Sequence, residues 1–357
     1  MTTLSVSKQG FLTRQRFLLV VVIAAVLFPF LVGMLDGQSP AAVIASEGGN
    51  AKFMMGLAVE VFILALFAIS YDLILGITGL FSLGHQLFFA VGAYGTGIML
   101  KSLGWSLPMA ILGIVVLGVV QAVLFGVILP RVQGLTFALV TLGFGAMFWI
   151  VIQSPELSDH AGSDVGLAGA SSLVPEWINT TNNRFRFYLL VFAFLLLVYV
   201  LYKRIVASPT GAVMVANRDN PDRAGMLGYN TFWFQMFALL ISSLTAAFAG
   251  MFWAMHQPII TPAVAALPWM VAVLLMVIMG GIGTLAGAIV GAAAFRLLGF
   301  YLEKWFGGGA ELLLGITFIL IVLFLPYGIV GTWRAKAVER KRGWGRLKRL
   351  VVPNTEA

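Results

Sequence analysis

The chain contains no cysteine. Disulfides, thiol catalysis and cysteine-held metals are excluded with it. Histidine is nearly absent: His85, His160 and His256 lie far apart and show no HExxH spacing, so no metal centre is expected. No Gly-Lys pair occurs, hence no GxxxxGK[ST] loop and no Walker-type ATP site in the chain itself. Charge is scarce as well, at 10% of 357 residues, against 60% hydrophobic. A soluble domain carries about 25% charged and about 45–50% apolar residues. Such a deficit makes lipid, not water, the solvent of this chain.

The apolar residues fall into ten segments: 17–35, 53–76, 82–100, 107–129, 134–153, 187–203, 232–255, 267–283, 284–300 and 311–331. Each approaches the roughly 20 residues that a bilayer core requires. The first run follows Lys8, Arg14 and Arg16 and resembles a signal peptide. It is longer than an h-region of about 7–15 residues and no A-x-A-like site follows, so a retained helix is predicted. The stretch 267–300 would be about 50 Å long as one helix. The Gly280-Gly281-Ile282-Gly283 cluster is the predicted break.

The net charge of +8 bears on orientation rather than on nucleic acid, and no nucleic-acid partner is expected. With ten spans and the N-terminus inside, 16 of the 22 Lys and Arg residues fall on the cytoplasmic side. They lie in residues 1–16, at Arg131, in the 204–231 loop with Lys203 before it, and in a basic tail over 334–357. The opposite side holds Asp36, Glu47, Glu156, Asp159, Asp164 and Glu176. The predicted organisation is a cytoplasmic N-terminus (1–16), a transmembrane domain (17–333) with an external loop at 154–186, and the tail. The tail reads as a positive-inside anchor that can also touch anionic lipid.

The run Gly76-Ile77-Thr78-Gly79-Leu80-Phe81-Ser82-Leu83-Gly84-His85 lies between two spans, with Gly92, Tyr94, Gly95 and Gly97 after it. Glycine costs about 1 kcal/mol relative to alanine inside a helix. Glycines at this density argue for a broken helix or for close backbone approach. Non-helical backbone at membrane depth is tolerated only where it is buried in protein or lines a wet cavity. The segment is therefore a candidate for a path through the membrane; simple packing of small residues is the other reading. Gly283, Gly287 and Gly291 repeat every four residues and predict a helix-contact face, not a dinucleotide loop.

Glu60, Asp72, His85, His256 and Arg296 are ionisable residues in or near spans. Glu60 and Asp72 are twelve apart and point about 120° from each other on a helix, so they are not a carboxylate pair. Asp72, His256 and Arg296 are expected to reach the interface, and Glu60 to face the interior. No proton relay and no cluster of acids, bases or ligands is visible, which argues against a membrane enzyme. No second glycine-broken segment matches the first, which argues against a carrier built from inverted repeats.

The 204–231 loop has helix punctuation. Ser208 and Thr210 can cap a helix that Gly211 opens. Asn220-Pro221-Asp222 can end it and start another, which Gly228 can close. A helix–break–helix suits a docking element or an ordinary connector.

Four segments carry a family resemblance. They are Gly79-Leu80-Phe81-Ser82-Leu83-Gly84-His85 with Phe88-Phe89 and Gly92-Ala93-Tyr94; Gly134 to Gly145; the loop with Arg218-Asp219-Asn220, Arg223-Ala224 and Leu227-Gly228-Tyr229-Asn230; and Gly280 to Gly287, followed by Leu325-Pro326-Tyr327-Gly328-Ile329-Val330-Gly331. Over roughly 55–335 the chain resembles the permeases of branched-chain amino-acid ABC importers, specifically the LivM-like subunit. It departs from them at Ala212 and Pro221, where Arg and Glu are common, and at His160–Gly166, where a Thr-Gly-Gly-Ser-Asp-Gly-like motif is blurred.

The resemblance implies an all-α, vitamin-importer-like (type II) permease of about ten helices in a bacterial inner membrane, with both termini cytoplasmic. It implies a second related permease, two ATPase subunits that bind the ATP and magnesium, and an external substrate-binding protein. No cofactor is expected on this chain, and no catalysis. Coupling to the ATPases falls to Gly211, Arg218, Asp219, Asn220, Arg223 and Gly228. The translocation path falls to Gly79, Ser82, Gly84, His85, Tyr94, Thr141 and Gly143. Urea or a short amide is the alternative substrate, and a stand-alone channel or secondary carrier the alternative class.

Overall fold

The computed structural model describes residues 8–333 apart from Pro130, Gln133 and Pro326. The basic tail expected at 334–357 and the first seven residues lie outside them. In chain order the α-helices are α1 (Lys8–Leu35), α2 (Pro40–Ile44), α3 (Asn50–Asp72), α4 (Gln86–Lys101), α5 (Leu107–Ile128), α6 (Gly134–Gln153) and α7 (Ser158–Ala161). They continue with α8 (Arg184–Val206), α9 (Pro209–Asp219), α10 (Pro221–Met226), α11 (Thr231–His256), α12 (Leu267–Gly280), α13 (Ala286–Phe306) and α14 (Ala310–Phe324). Each of the ten apolar segments holds a helix. Among the described residues, six helical stretches are long and apolar enough to cross a membrane by length and composition.

α4 and α12 fall short of that length, at 16 and 14 residues. Both stop where glycine breaks the chain. α4 starts at Gln86 because the backbone from Gly79, with φ +79°, to Gly84 is not helical. α12 ends at Gly280 because Gly281 and Gly283 take φ of +114° and +74°. Positive φ is open to glycine at no steric cost. Leu285 adopts φ +50° immediately before α13, a strained value for a branched side chain.

The chain divides into two compact units. One runs up to Val59 and adds Pro175–Phe192. In it, Asp36 Oδ2 accepts from the Asn50 amide (2.8 Å) at the start of α3, and Ser39 caps α2. Arg184 Nη1 donates to the Lys52 carbonyl and its Nε to that of Thr180, each at 3.1 Å. Tyr188 donates to the Ala25 carbonyl (2.7 Å), and Phe185 meets Phe30 edge to face.

The other unit comprises Glu60–Val174 and the chain from Ala193. Its interior is built on small residues. A Cβ at Gly250 of α11 would run into the Phe89 carbonyl of α4, and one at Gly92 into the Ala247 carbonyl, so the two backbones nearly touch. Ser243 Oγ of α11 donates to the Gly118 carbonyl of α5 (2.6 Å). α12 and α13 pack through Gly287 and Gly291 of the four-residue repeat and through Gly280; Gly283, the third member of the repeat, packs on Gly76 instead. A Cβ at Gly291 would strike the Met276 carbonyl, and one at Gly280 the Gly287 carbonyl. The expected 154–186 loop contains α7, several 3₁₀ turns and a strand the sequence reading did not foresee. Leu167–Ala168 (β1) pairs antiparallel with Ile259–Ile260 (β2).

The outward faces are as apolar as the core. Leu112, Val116, Val120, Val123 and Val127 of α5 form an exposed helical stripe, and Leu312, Ile316, Ile319 and Leu323 another on α14. Exposed apolar area of this extent is stable against lipid or a partner, not against water.

Candidate functional site

The two glycine-broken segments meet. α3 does not end as an α-helix but continues through a π-helical turn, Leu73–Ile77. Asp72, fully buried, sits just before it. Its Oδ1 accepts from the Gly283 amide (2.6 Å) and its Oδ2 from the Leu285 amide (2.8 Å). Positive φ at Gly281, Gly283 and Leu285 turns these N–H groups inward, and successive turned amides form an anion-binding concavity. A Cβ at Gly76 would strike the Gly283 backbone. The sequence expectation that Asp72 reaches the interface is corrected here: its carboxylate finds its donors inside the protein.

Further along the first break the backbone is pinned from two sides. Tyr71 donates to the Ser82 carbonyl (3.0 Å). Ser82 Oγ donates to Thr141 Oγ1 (3.1 Å), and the Leu83 amide reaches the same hydroxyl (3.2 Å). Thr141 lies on α6, and a Cβ at Gly84 would collide with its carbonyl. His85, fully buried, takes a hydrogen bond with Ser70 Oγ through Nε2 (2.9 Å) and lies among Phe67, Tyr71 and Phe88. His85 Nδ1 and Gln86 Oε1 have no hydrogen-bond partner among the described residues. Buried polar atoms without partners are rare, and they mark a place that suits a water or a passing polar group.

The 204–231 segment folds locally for the reasons the sequence carries. Ser208 Oγ accepts from the Gly211 amide (3.4 Å) to open α9. Asn220 Oδ1 accepts from the Arg223 amide (3.0 Å), with Pro221 at the first position of α10. Gly228 takes φ +87° after α10. The last turn of α9 then meets the first break. Arg218 Nη1 donates to the Gly76 carbonyl (2.6 Å), while its Nη2 pairs with Asp219 (3.0 Å) on the exposed side. Gly79 packs on the Arg218 backbone, which leaves no room for a Cβ. A cavity of about 170 Å³ opens beside this contact, lined by Thr78, Gly79, Asn217, Arg218, Thr231 and Gln235 among others.

A second polar cluster lies apart from it. Glu60 accepts from Arg296 Nε (2.5 Å) and from Gln257 Nε2 (3.2 Å), with His256 Nε2 at 3.8 Å. Arg296 thus reaches an interior carboxylate, not the interface. Among the described residues no group of three or more His, Asp or Glu could hold a metal ion.

A sequence model of the branched-chain amino acid transport system permease component matches residues 53–325. The chain belongs to that family. It is 25% identical to the high-affinity branched-chain amino acid transport system permease protein LivM of Salmonella typhimurium, over 89% of this chain and 75% of that one. The LivM protein of Escherichia coli is 24% identical over the same shares. A probable LivM permease of Methanocaldococcus jannaschii is 24% identical over 38% of this chain and 43% of its own. No solved structure matches.

The permease is a multi-pass membrane protein. Of its sequence-nominated path residues, Ser82, Gly84, His85 and Thr141 come together. Gly79 lies with Arg218 instead. Tyr94 stands further along α4, donating to the Ile260 carbonyl (3.0 Å) and meeting Phe148 edge-on. Gly143 faces open space on α6. Of the nominated coupling residues, Arg218 bonds through its side chain into the 76–85 break. Asp219 pairs with Arg218, Asn220 caps α10, and Gly211 is held against the Ile205 and Val206 carbonyls. Sequence reasoning missed the bond between Asp72 and the 280–285 break. The signal was present, because a carboxylate at a helix end and a glycine cluster rich in free amides are complementary.

Proposed function

We propose that this permease is the membrane-spanning subunit of an ATP-driven importer of branched-chain amino acids. The observation that carries the reading is the family match over residues 53–325, joined to a sequence with no ATP-binding loop of its own. The relatives are named for high-affinity branched-chain amino acid transport. ATP and its magnesium then bind to two partner ATPases, and this chain is non-catalytic. A second related permease and an external substrate-binding protein complete the assembly. The proposed architecture is vitamin-importer-like with about ten crossings of a bacterial inner membrane, both ends inside; the distribution of Lys and Arg supports that orientation.

The mechanism is alternating access. A loaded binding protein docks at the 154–186 side. ATP binding by the partners shifts 208–230, and the shift retilts the helices around parts of 76–97 and 134–145. The bond from Arg218 to the Gly76 carbonyl supports this route, because it joins the docking segment to the glycine-broken one.

The test is reconstitution. The tagged chain is purified gently from its native membrane and its companions are identified by mass spectrometry. The recovered complex is placed in liposomes and fed labelled leucine or urea with enclosed ATP. Co-purification of a related permease and ATPases, with ATP-dependent leucine uptake, is the expected result. Urea uptake alone would reassign the substrate. A chain that purifies alone and transports without ATP would overturn the importer reading. Arg218→Met and Gly228→Val are expected to leave ATP hydrolysis running while uptake fails.

A further inference from the structure

We infer that Asp72 is a positioning residue that locks the break between α12 and α13 to the π-helical turn of α3, so that a displacement of α9 moves both breaks as one piece. The inference rests on the proposed coupling role of 208–230 and adds to it a specific transmission element.

Three observations carry it. Asp72 is fully buried, and each of its carboxylate oxygens takes one backbone amide of the break, Gly283 and Leu285. The break cannot move away from Asp72 without leaving a charged group in a medium that solvates it poorly. The turn that follows Asp72 is held in turn by α9: Arg218 Nη1 takes the Gly76 carbonyl, and the buried Asn217 Nδ2 donates to the Thr78 carbonyl (3.4 Å). No slack separates the parts. A Cβ at Gly76 would strike Gly283, and one at Gly79 would strike Arg218, so backbone bears on backbone across the junction.

The π geometry adds a reason for the position. The Gly76 carbonyl lies in the last turn of the π segment, where helix carbonyls have no intrahelical partner, and Arg218 completes it from outside the helix. Motion of α9 is thus felt at the end of the π turn, and Asp72 passes it on to α12 and α13.

The chain has no cysteine, so introduced cysteines report alone once reactive cysteines are removed from the partners. Two spin-label pairs are read in the assembled importer: Asp222→Cys with Val120→Cys reports α10, and Ile282→Cys with Val120→Cys reports the break. On ATP binding both distances are expected to shift in the otherwise unsubstituted chain. With Asp72→Asn, which keeps the shape but presents an amide to amide donors, the α10 pair is expected to shift and the Ile282 pair to stay still. Uptake is expected to fall by about tenfold or more while ATP hydrolysis continues. If Asp72→Asn fails to assemble, Asp72→Glu, which keeps the charge, is read in the same way and is expected to shift the break only in part.

Two pairs that still shift together in the variant, with uptake intact, overturn the inference. So does an Ile282 pair that stays still in the unsubstituted chain during active uptake. Either result leaves the importer reading standing. Absence of ATP-driven uptake in the unsubstituted complex is the separate outcome that removes that reading.

Discussion

Arg296 Nε and Glu60 Oε2 stand 2.5 Å apart, joining α13 to α3 within apolar stretches of both helices. Both side chains are largely shielded, at 28% and 16% exposed. Removing Arg296 leaves the shielded Glu60 carboxylate with only Gln257 and His256 beside it. Arg296→Leu alone is expected to cost about 3 kcal/mol. Glu60→Leu with Arg296→Leu is expected to recover most of that loss, because two apolar side chains replace a desolvated pair. Thermal unfolding in detergent, followed by the loss of monodisperse protein, measures both. Additive losses in the double variant would mean the pair is not coupled.

Gly84 faces the Thr141 carbonyl with no space for a methyl group. Gly84→Leu is expected to abolish uptake by pushing the first break away from α6. Complex assembly should persist, because the break touches none of the exposed apolar stripes. Leucine uptake and gel filtration of the same preparation separate the two effects. Unchanged uptake would remove this segment from the path.

Thr141 Oγ1 receives both Ser82 Oγ and the Leu83 amide. Thr141→Val keeps the shape and removes the acceptor. The loss is expected to be about 1–2 kcal/mol of stability, since the buried Ser82 hydroxyl and the part-buried Leu83 amide lose their acceptor. Thr141→Ser, which keeps the hydroxyl, is expected to lose much less. Paired melting curves decide it.

Gly250 and Gly143 provide a matched contrast. The first lies against the Phe89 carbonyl, and the second has nothing near it. Gly250→Ala is expected to destabilise by about 1–3 kcal/mol, as overpacking does. Gly143→Ala is expected to stabilise by about 0.5–1 kcal/mol, because alanine fits a helix interior better than glycine. A Gly143→Ala variant that melts normally yet fails to transport would restore that residue to the path.

The sequence made the helices legible because their signal is composition and length, which lipid imposes on every span. The ends of α9 and α10 were legible because Ser208, Asn220 and Pro221 act on their own neighbours. Asp72 was misread for the opposite reason. Its partners, Gly283 and Leu285, lie more than 200 positions away, and helix geometry alone says only where a residue points, not what meets it. The break after α12 was legible in the Gly280–Gly283 cluster and the one before α4 in the glycine density of 76–85. What stayed hidden was how far the latter reaches, since α4 starts only at Gln86 although the apolar run begins at 82. The pairing of β1 with β2 had no local signal at two residues each.

At Gly280, Gly287 and Gly291 the backbones of α12 and α13 come into direct contact, with no side chain on the glycine side to change rotamer. Most helix pairs meet through a compliant layer of side chains that can absorb an ångström of sliding. This pair lacks that layer at two successive contacts, Gly280 with Gly287 and Gly291 with Met276, so sliding there meets backbone directly. Mechanically the two helices form a stiff hairpin that turns at residues 281–285, where backbone torsion rather than side-chain repacking sets their angle.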